Sequence, residues 1–154
     1  MIEIKSRPIK PRCEVTVPGS KSYTHRILIA AALSDGLCQI ENVLVSEDTQ
    51  LTTEALRQMG IQVEVNGTDV HIIGKGGHLE PCGAPLYLGN SGTSMRLLAG
   101  VAALGIGTYT LTGTRRMQNR PIKDLLDALQ QIGVEAHSLN DNGCPPIEIT
   151  GATI

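Results

Sequence analysis

Apolar and polar residues follow two different periods along this chain, and the two periods alternate in a fixed order. Residues 38–43 alternate between apolar and polar apart from the Glu41-Asn42 pair, the pattern of a half-buried strand. Leu51, Ala55, Leu56 and Met59 then fall on one face of a helix, with Asp48 placed to cap its start and Gly60 to end it. Ile61, Val63 and Val65 alternate again, Asn66-Gly67 predicts a hairpin turn, and residues 70–73 predict the return strand. Upstream, residues 14–17 read as a short strand and Pro18-Gly19-Ser20 as a turn. A helix of small residues follows to about Leu33, stopped by Asp35-Gly36.

From residue 85 the order starts again. Residues 85–88 predict a strand, then come a Gly/Ser loop, a helix to about Leu104 and a strand over 108–111. Pro121 suits the first turn of a further helix, which should bury Ile122, Leu125, Leu126, Leu129 and Ile132 before Gly133 ends it. Strands near 134–138 and 147–150 complete the set. The order is β-α-β-α-β-β, twice, an α/β (α+β) fold built from repeats. Residue identities agree. Ala55-Leu56-Arg57-Gln58-Met59-Gly60-Ile61 resembles Ala128-Leu129-Gln130-Gln131-Ile132-Gly133-Val134 at an offset of 73, and Arg26 aligns with Arg96 at an offset of 70. The first unit spans about residues 14–74 and the second about 85–151.

Composition sharpens this picture. The chain has no Trp, no Phe and 3 Tyr, so an aliphatic core is expected and base stacking is a poor candidate for a main device. The Ala-rich first helix of each unit should be covered on nearly all sides. A net charge of −2 points away from nucleic acid as a partner. The longest apolar runs, 27–33 and 97–106, are too short to span a bilayer, and residues 1–10 lack the apolar core of a signal peptide. The four cysteines, Cys13, Cys38, Cys82 and Cys144, are scattered, with no metal-ligand spacing to the histidines. Free thiols in a reducing cytoplasm are expected, with no metal and no cofactor.

The placement of charge carries the chemistry. Residues 15–34 contain no acid but hold Lys21, His25 and Arg26. Residues 96–123 contain none either, but hold Arg96, Arg115, Arg116, Arg120 and Lys123. Both stretches flank Gly/Ser loops that lead into helices. Helix N-termini offer free N–H groups to anions, glycine lets the backbone approach, and Arg forks fit carboxylate and phosphate. A small, multiply anionic ligand is the natural inference. Each segment also has a plainer reading as an ordinary turn and cap. Arg115 and Arg116 read as a solvated basic turn, His71 as structural, and His25 is open to either reading.

Three motifs in order carry a resemblance. Pro18-Gly19-Ser20-Lys21-Ser22 with Arg26, Leu88-Gly89-Asn90-Ser91-Gly92-Thr93-Ser94-Met95-Arg96, and Arg120-Pro121-Ile122 resemble the 3-phosphoshikimate 1-carboxyvinyltransferase (EPSP synthase) family of enolpyruvyl transferases. That resemblance implies the inverse α/β barrel, in which each of two domains holds three such units. Two of three units of one domain stand here, over residues 18–154, and residues 1–17 belong in the family to the other domain. It implies transfer of the enolpyruvyl group of phosphoenolpyruvate to the 5-hydroxyl of shikimate 3-phosphate, releasing phosphate, without a metal. Lys21 is then the catalytic residue and touches both substrates. Ser22 and Arg26 hold shikimate 3-phosphate, Gly92 and Arg120 hold phosphoenolpyruvate, and Asn90, Thr93 and Arg96 support them. Leu97 stands where members often have Pro, and Ser91 and Ser94 where some have Ala; these departures bear on sensitivity to glyphosate. The chain is expected to be an N-terminal portion without turnover alone, prone to self-association through uncovered apolar surface. The UDP-N-acetylglucosamine enolpyruvyl transferase is a less similar alternative, since it has Asn where Ser22 stands. RNA 3′-phosphate cyclase shares related repeats without its nucleotide-binding residues being visible here. A non-catalytic anion-binding repeat module is the remaining alternative.

Overall fold

A computed structural model describes Arg12 and residues 14–151. The expectations for residues 1–11, Cys13 and 152–154 lie outside the described residues. The elements run α1 (Lys21–Leu33), β1 (Asp35–Ile40), α2 (Glu47–Gln58), β2 (Gln62–Asn66) and β3 (Asp69–Lys75). Then come β4 (Leu86–Tyr87), α3 (Gly92–Ala102), β5 (Gly107–Thr112), a 3₁₀ turn (Met117–Asn119), α4 (Lys123–Gln131), β6 (Glu135–Ser138) and β7 (Ile147–Gly151).

Two sheets result, ordered β1-β3-β2 and β4-β5-β7-β6. In each, the last strand of the unit lies between the other two antiparallel strands. The second sheet gains β4, paired parallel to β5. The repeat therefore extends from residue identities to strand order.

It extends to glycines as well. Gly60 and Gly133 both turn the chain after the second helix, at φ +85° and +88°. A Cβ on Gly74 of β3 would strike the carbonyl oxygens of Ala31 and Ser34 at the end of α1. A Cβ on Gly151 of β7 would strike those of Ala102 and Gly105 at the end of α3. In both units the return strand passes so close beneath the first helix that only hydrogen fits.

The core is one aliphatic cluster. Leu28 and Ala32 of α1, Leu56 of α2, Ile72 of β3, Leu98 and Ala99 of α3, and Ile147 and Ile149 of β7 are all fully or almost fully buried. Tyr109 corrects the expectation of a purely aliphatic interior. It is wholly buried, donates its hydroxyl to the Leu79 carbonyl at 3.2 Å, and lies against Gly105, whose missing Cβ leaves room for the ring.

Other expectations also shift. Residues 14–17 form no strand, because no described strand pairs with them; Val15 and Val17 are 72% and 71% exposed. β1 begins at Asp35-Gly36, which therefore open the strand as well as closing the helix. The cap of α2 is Ser46, not Asp48: Ser46 and Thr49 form a reciprocal capping box, and Asp48 lies in the first turn. The hairpin turn is centred on Gly67-Thr68, one residue later than predicted, with Gly67 at φ +63° in the first central position. Val65 is exposed. Pro121 precedes α4, which starts at Lys123 after an unpredicted 3₁₀ turn. Ile132 is the C-cap residue, where the helical period ends, and points into solvent at 75% exposure. Finally, α1 leaves Tyr23, Ile27 and Ala30 uncovered along one stripe, so it is buried on one side rather than all round.

Candidate functional site

The repeat sets the first helices of the two units, α1 and α3, against each other and both against α2. Their N-terminal turns thereby open onto one cleft. Ser20 caps α1, accepting from the Tyr23 N–H at 3.5 Å, and Ser91 caps α3, accepting from the Ser94 N–H at 3.3 Å. Neither helix has an acid in its first turn. The free N–H groups there and the positive dipole ends meet no carboxylate of their own helix, which favours an anion.

The two loops are held by backbone. Gly19 lies so close to residues 42–44 that a Cβ would meet the Asn42 carbonyl oxygen and come within 2.8 Å of the Leu44 nitrogen. The Leu44 N–H donates to Thr24 Oγ1 at 3.0 Å, pinning α1 to the same stretch. Gly89 takes φ +53°, and its carbonyl accepts from the Thr114 N–H at 2.8 Å. Loop 89–93 is thus braced from below by the segment that leads on to Arg120.

The cleft holds about 510 Å³. Lys21 and Arg26 line it from α1, and Asn90, Gly92, Thr93 and Arg96 from loop 89–93 and α3. Arg120 enters from the loop before α4. These seven sequence-predicted residues come together. Ser22 does not line the cleft; its carbonyl accepts from Arg26 Nη1 at 2.8 Å, so it serves to aim that arginine. Arg115 and Arg116 are exposed and outside it. Arg120 is not in a helical first turn, as Pro121 had suggested. Its guanidinium lies over Gly92, where a Cβ would come within 2.9 Å of both terminal nitrogens, and Nη1 donates to the Asn90 carbonyl at 3.4 Å. Arg96 Nη2 donates to the Pro121 carbonyl at 2.9 Å, tying α3 to the Arg120 segment.

Sequence reasoning missed Asp48. It lies in the first turn of α2, lines the cleft, and pairs with the Lys21 ammonium. Among the described residues, four cationic side chains and this one carboxylate face the space. The pair keeps the Lys21 ammonium inside the cleft, where an anion can reach it. The sequence signal was faint: Asp48 sits outside both acid-free stretches, and its helical position suggested a cap.

A fold of two repeated units, α-β-α-β-β in the first and β-α-β-α-β-β in the second, with the starts of two helices and their Lys and Arg side chains around one cleft, defines an α/β repeat protein with a basic cleft. The comparisons narrow that class. Residues 6–154 match the family model described as EPSP synthase (3-phosphoshikimate 1-carboxyvinyltransferase), and the chain belongs to that family. It is 44% identical over 136 residues to the 3-phosphoshikimate 1-carboxyvinyltransferase of Methanospirillum hungatei, covering 88% of this chain and 32% of that protein. It is 46% identical over 137 residues to the enzyme of the same name from Methanothermobacter thermautotrophicus, covering 89% and 32%. A solved structure of EPSP synthase from Acinetobacter baumannii superposes with a TM-score of 0.85 at 36% identity, over 90% of this chain and 32% of that one. The enolpyruvyl transferase NikO from Streptomyces tendae shares the fold, with a TM-score of 0.54 at 15% identity over 84% of this chain and 29% of its own. The chain thus spans about a third of the length of the curated relatives it matches.

Proposed function

We propose that this chain forms one wall of an active site that transfers the enolpyruvyl group of phosphoenolpyruvate to the 5-hydroxyl of shikimate 3-phosphate in the cytoplasm. The observation that carries the reading is the convergence of Lys21, Asn90, Gly92, Arg96 and Arg120 on one cleft from segments some 70 residues apart. Both substrates bear a phosphate and a carboxylate, and this wall offers what such groups need: helix starts, an ammonium and forked guanidinium groups.

In the proposed reaction the 5-hydroxyl gives up its proton as its oxygen adds to C2 of phosphoenolpyruvate, and C3 takes a proton with the electrons of the C2–C3 double bond, leaving a single bond there. Phosphate then leaves C2 as C3 gives a proton back, restoring the double bond. Lys21, at the start of α1, lines the same cleft as loop 89–93 and serves both substrates. Arg26, aimed by the Ser22 carbonyl, serves shikimate 3-phosphate, with Ser22 at its edge. Gly92 and Arg120 serve phosphoenolpyruvate; the bare Gly92 backbone lets the guanidinium lie flat on the loop. Asn90, Thr93 and Arg96 hold that loop. The wall contributes positioning and charge stabilisation. Residues 14–17 belong with the rest of the enzyme rather than with this wall. Proton transfer and the remaining phosphoenolpyruvate contacts also fall to that remainder, so the chain alone binds without turning over.

Calorimetry with shikimate 3-phosphate, phosphoenolpyruvate and UDP-N-acetylglucosamine tests this. Weak binding of the first two and none of the third is expected. Preference for the UDP-sugar would move the chain to the other transferase, and binding of none would leave a repeat module without this activity. Robust product formation by the 154-residue chain would refute the single-wall assignment.

A further inference from the structure

One group beside the cleft is buried whole and unused by the anion site. His25 lies on α1 between Thr24 and Arg26, one turn beyond Lys21, and is 0% exposed. Its Nδ1 is 2.9 Å from Thr52 Oγ1 on α2. Thr52 Oγ1 is 2.8 Å from Ser94 Oγ on α3. Ser94 Oγ is 2.6 Å from Ser91 Oγ, the cap of α3. All four residues are buried. Ser91 sits between Asn90 and Gly92, both of which line the cleft. A single chain of hydrogen bonds thus runs from the helix that bears Lys21 to the loop over which the Arg120 guanidinium lies.

Its direction can be worked out. Each hydroxyl has one proton to give. The Asp48 carbonyl lies 3.4 Å from both Thr52 Oγ1 and Ser94 Oγ, but the neighbouring hydroxyls at 2.8 and 2.6 Å are the stronger acceptors, so the orientation at one end sets the others. The other ring nitrogen, Nε2, is buried and has no hydrogen-bond partner among the described residues. If it carried the proton, a buried N–H would be orphaned, a rare and costly state; a bare lone pair costs less. The proton therefore belongs on Nδ1, which donates to Thr52. Thr52 then donates to Ser94, and Ser94 to Ser91. A charged imidazole would orphan Nε2–H and bury a charge whose desolvation, with Lys21 and Arg26 nearby, outweighs the attraction of Asp48.

We propose that His25 is a positioning residue: neutral and protonated on Nδ1, it starts a one-way relay through Thr52 and Ser94 that fixes the Ser91 loop relative to Lys21. What the loops bind rests on the preceding function; the relay does not. It predicts that damage on α3 is felt on α1, which independent packing of the two helices would not produce.

Nitrogen-resolved imidazole NMR and amide exchange on the full chain test this, for the wild type and for Ser94→Ala, His25→Leu and His25→Asn, with and without phosphoenolpyruvate. In the wild type the His25 proton is expected on Nδ1. Ser94→Ala should shift the His25 nitrogen signals, speed exchange of the backbone amides at positions 94 and 95 about tenfold, and weaken phosphoenolpyruvate binding about tenfold. His25→Leu should speed the same amides. His25→Asn, whose amide N–H can stand where Nδ1–H stood, should restore slow exchange. A proton on Nε2, or an unchanged His25 signal in Ser94→Ala, overturns the relay. So does a folded His25→Asn that exchanges as fast as His25→Leu. If His25→Leu does not fold, Ser94→Ala, on another helix, still decides. Relay signals as expected with no response of Gly92 and Thr93 to phosphoenolpyruvate would leave the relay standing and sink the anion-site function.

Discussion

Two Gly→Ala substitutions, chemically identical, should have opposite signs in this protein. At Gly19 the added methyl meets backbone only: the Asn42 carbonyl oxygen, the Leu44 nitrogen at 2.8 Å and the Val43 carbonyl carbon at 3.0 Å. Comfortable contacts of this kind lie near 3.5 Å, so residues 18–20 and 42–44 must separate by about 1 Å. That separation strains the Leu44 N–H bond to Thr24 Oγ1 and the Ser20 cap of α1. A lost hydrogen bond costs about 1 kcal/mol and a damaged cap about 1 kcal/mol more. Gly19→Ala should therefore destabilise by roughly 2–3 kcal/mol, or lower the melting temperature by roughly 4–12 °C in a domain of this size. At Gly100, inside α3, a Cβ meets no atom of the described residues within 4 Å and φ is unremarkable. Ala there removes the helix penalty of glycine and should stabilise by roughly 0.5–1 kcal/mol. Urea denaturation of both variants beside the wild type checks the pair. A Gly19→Ala midpoint within error of the wild type would refute the claim that this loop is fixed by backbone contact. A destabilised Gly100→Ala would show that the exposed side of α3 is covered in solution, by a second copy for instance.

Three further outcomes follow from the same geometry. Ser46→Ala should cost about 1 kcal/mol by removing the capping box of α2, whereas Asp48→Asn should leave the cap intact; urea midpoints of the two separate the roles. Desolvation holds the His25 pKa below 6.5, reinforced by Lys21 and Arg26 and opposed by Asp48. The unfolded chain therefore binds the extra proton first, so this contribution is full above pH 6.5 and is lost as pH falls from there through the depressed folded value. His25→Asn should flatten that part of the profile in denaturation at a series of pH values. Gly92→Ala would push against the far end of Arg120, a flexible side chain that can yield. Stability should change by less than about 0.5 kcal/mol, while phosphoenolpyruvate affinity falls about tenfold and shikimate 3-phosphate affinity holds, read by calorimetry.

How much of this was legible in the sequence depends on the range over which each feature is determined. The α2 helix, the β2–β3 strands and the turning glycines Gly60 and Gly133 are set by local period and φ, and the periodicity placed them within a residue or two. Boundaries set by a partner strand or a competing cap were misplaced. Residues 14–17 alternate like a strand yet have no described neighbour to pair with, and Ser46 displaced Asp48 as cap because Thr49 could return the bond. The interior role of Tyr109 was invisible because it depends on a hole left by Gly105 and a carbonyl supplied by Leu79, neither of them signalled by local pattern.

The site shows the same division and explains it. Acid-free stretches beside Gly/Ser loops can be read locally, and they named Lys21, Arg26, Arg96 and Arg120, while Gly92 came from the motif resemblance. What joins them is the repeat. When a unit is copied, its loop-to-helix turn is copied too, and packing α1 against α3 brings the two turns side by side without any further signal in the sequence. Residues that serve one turn are therefore found by reading that turn. Residues that serve the junction belong to neither. Asp48 and Thr52 stand on α2, one pairing with Lys21 and the other linking His25 to Ser94. A helix whose sequence looks like plain packing thus holds the two copies in register, and the junction between repeats is where site residues escape a motif search.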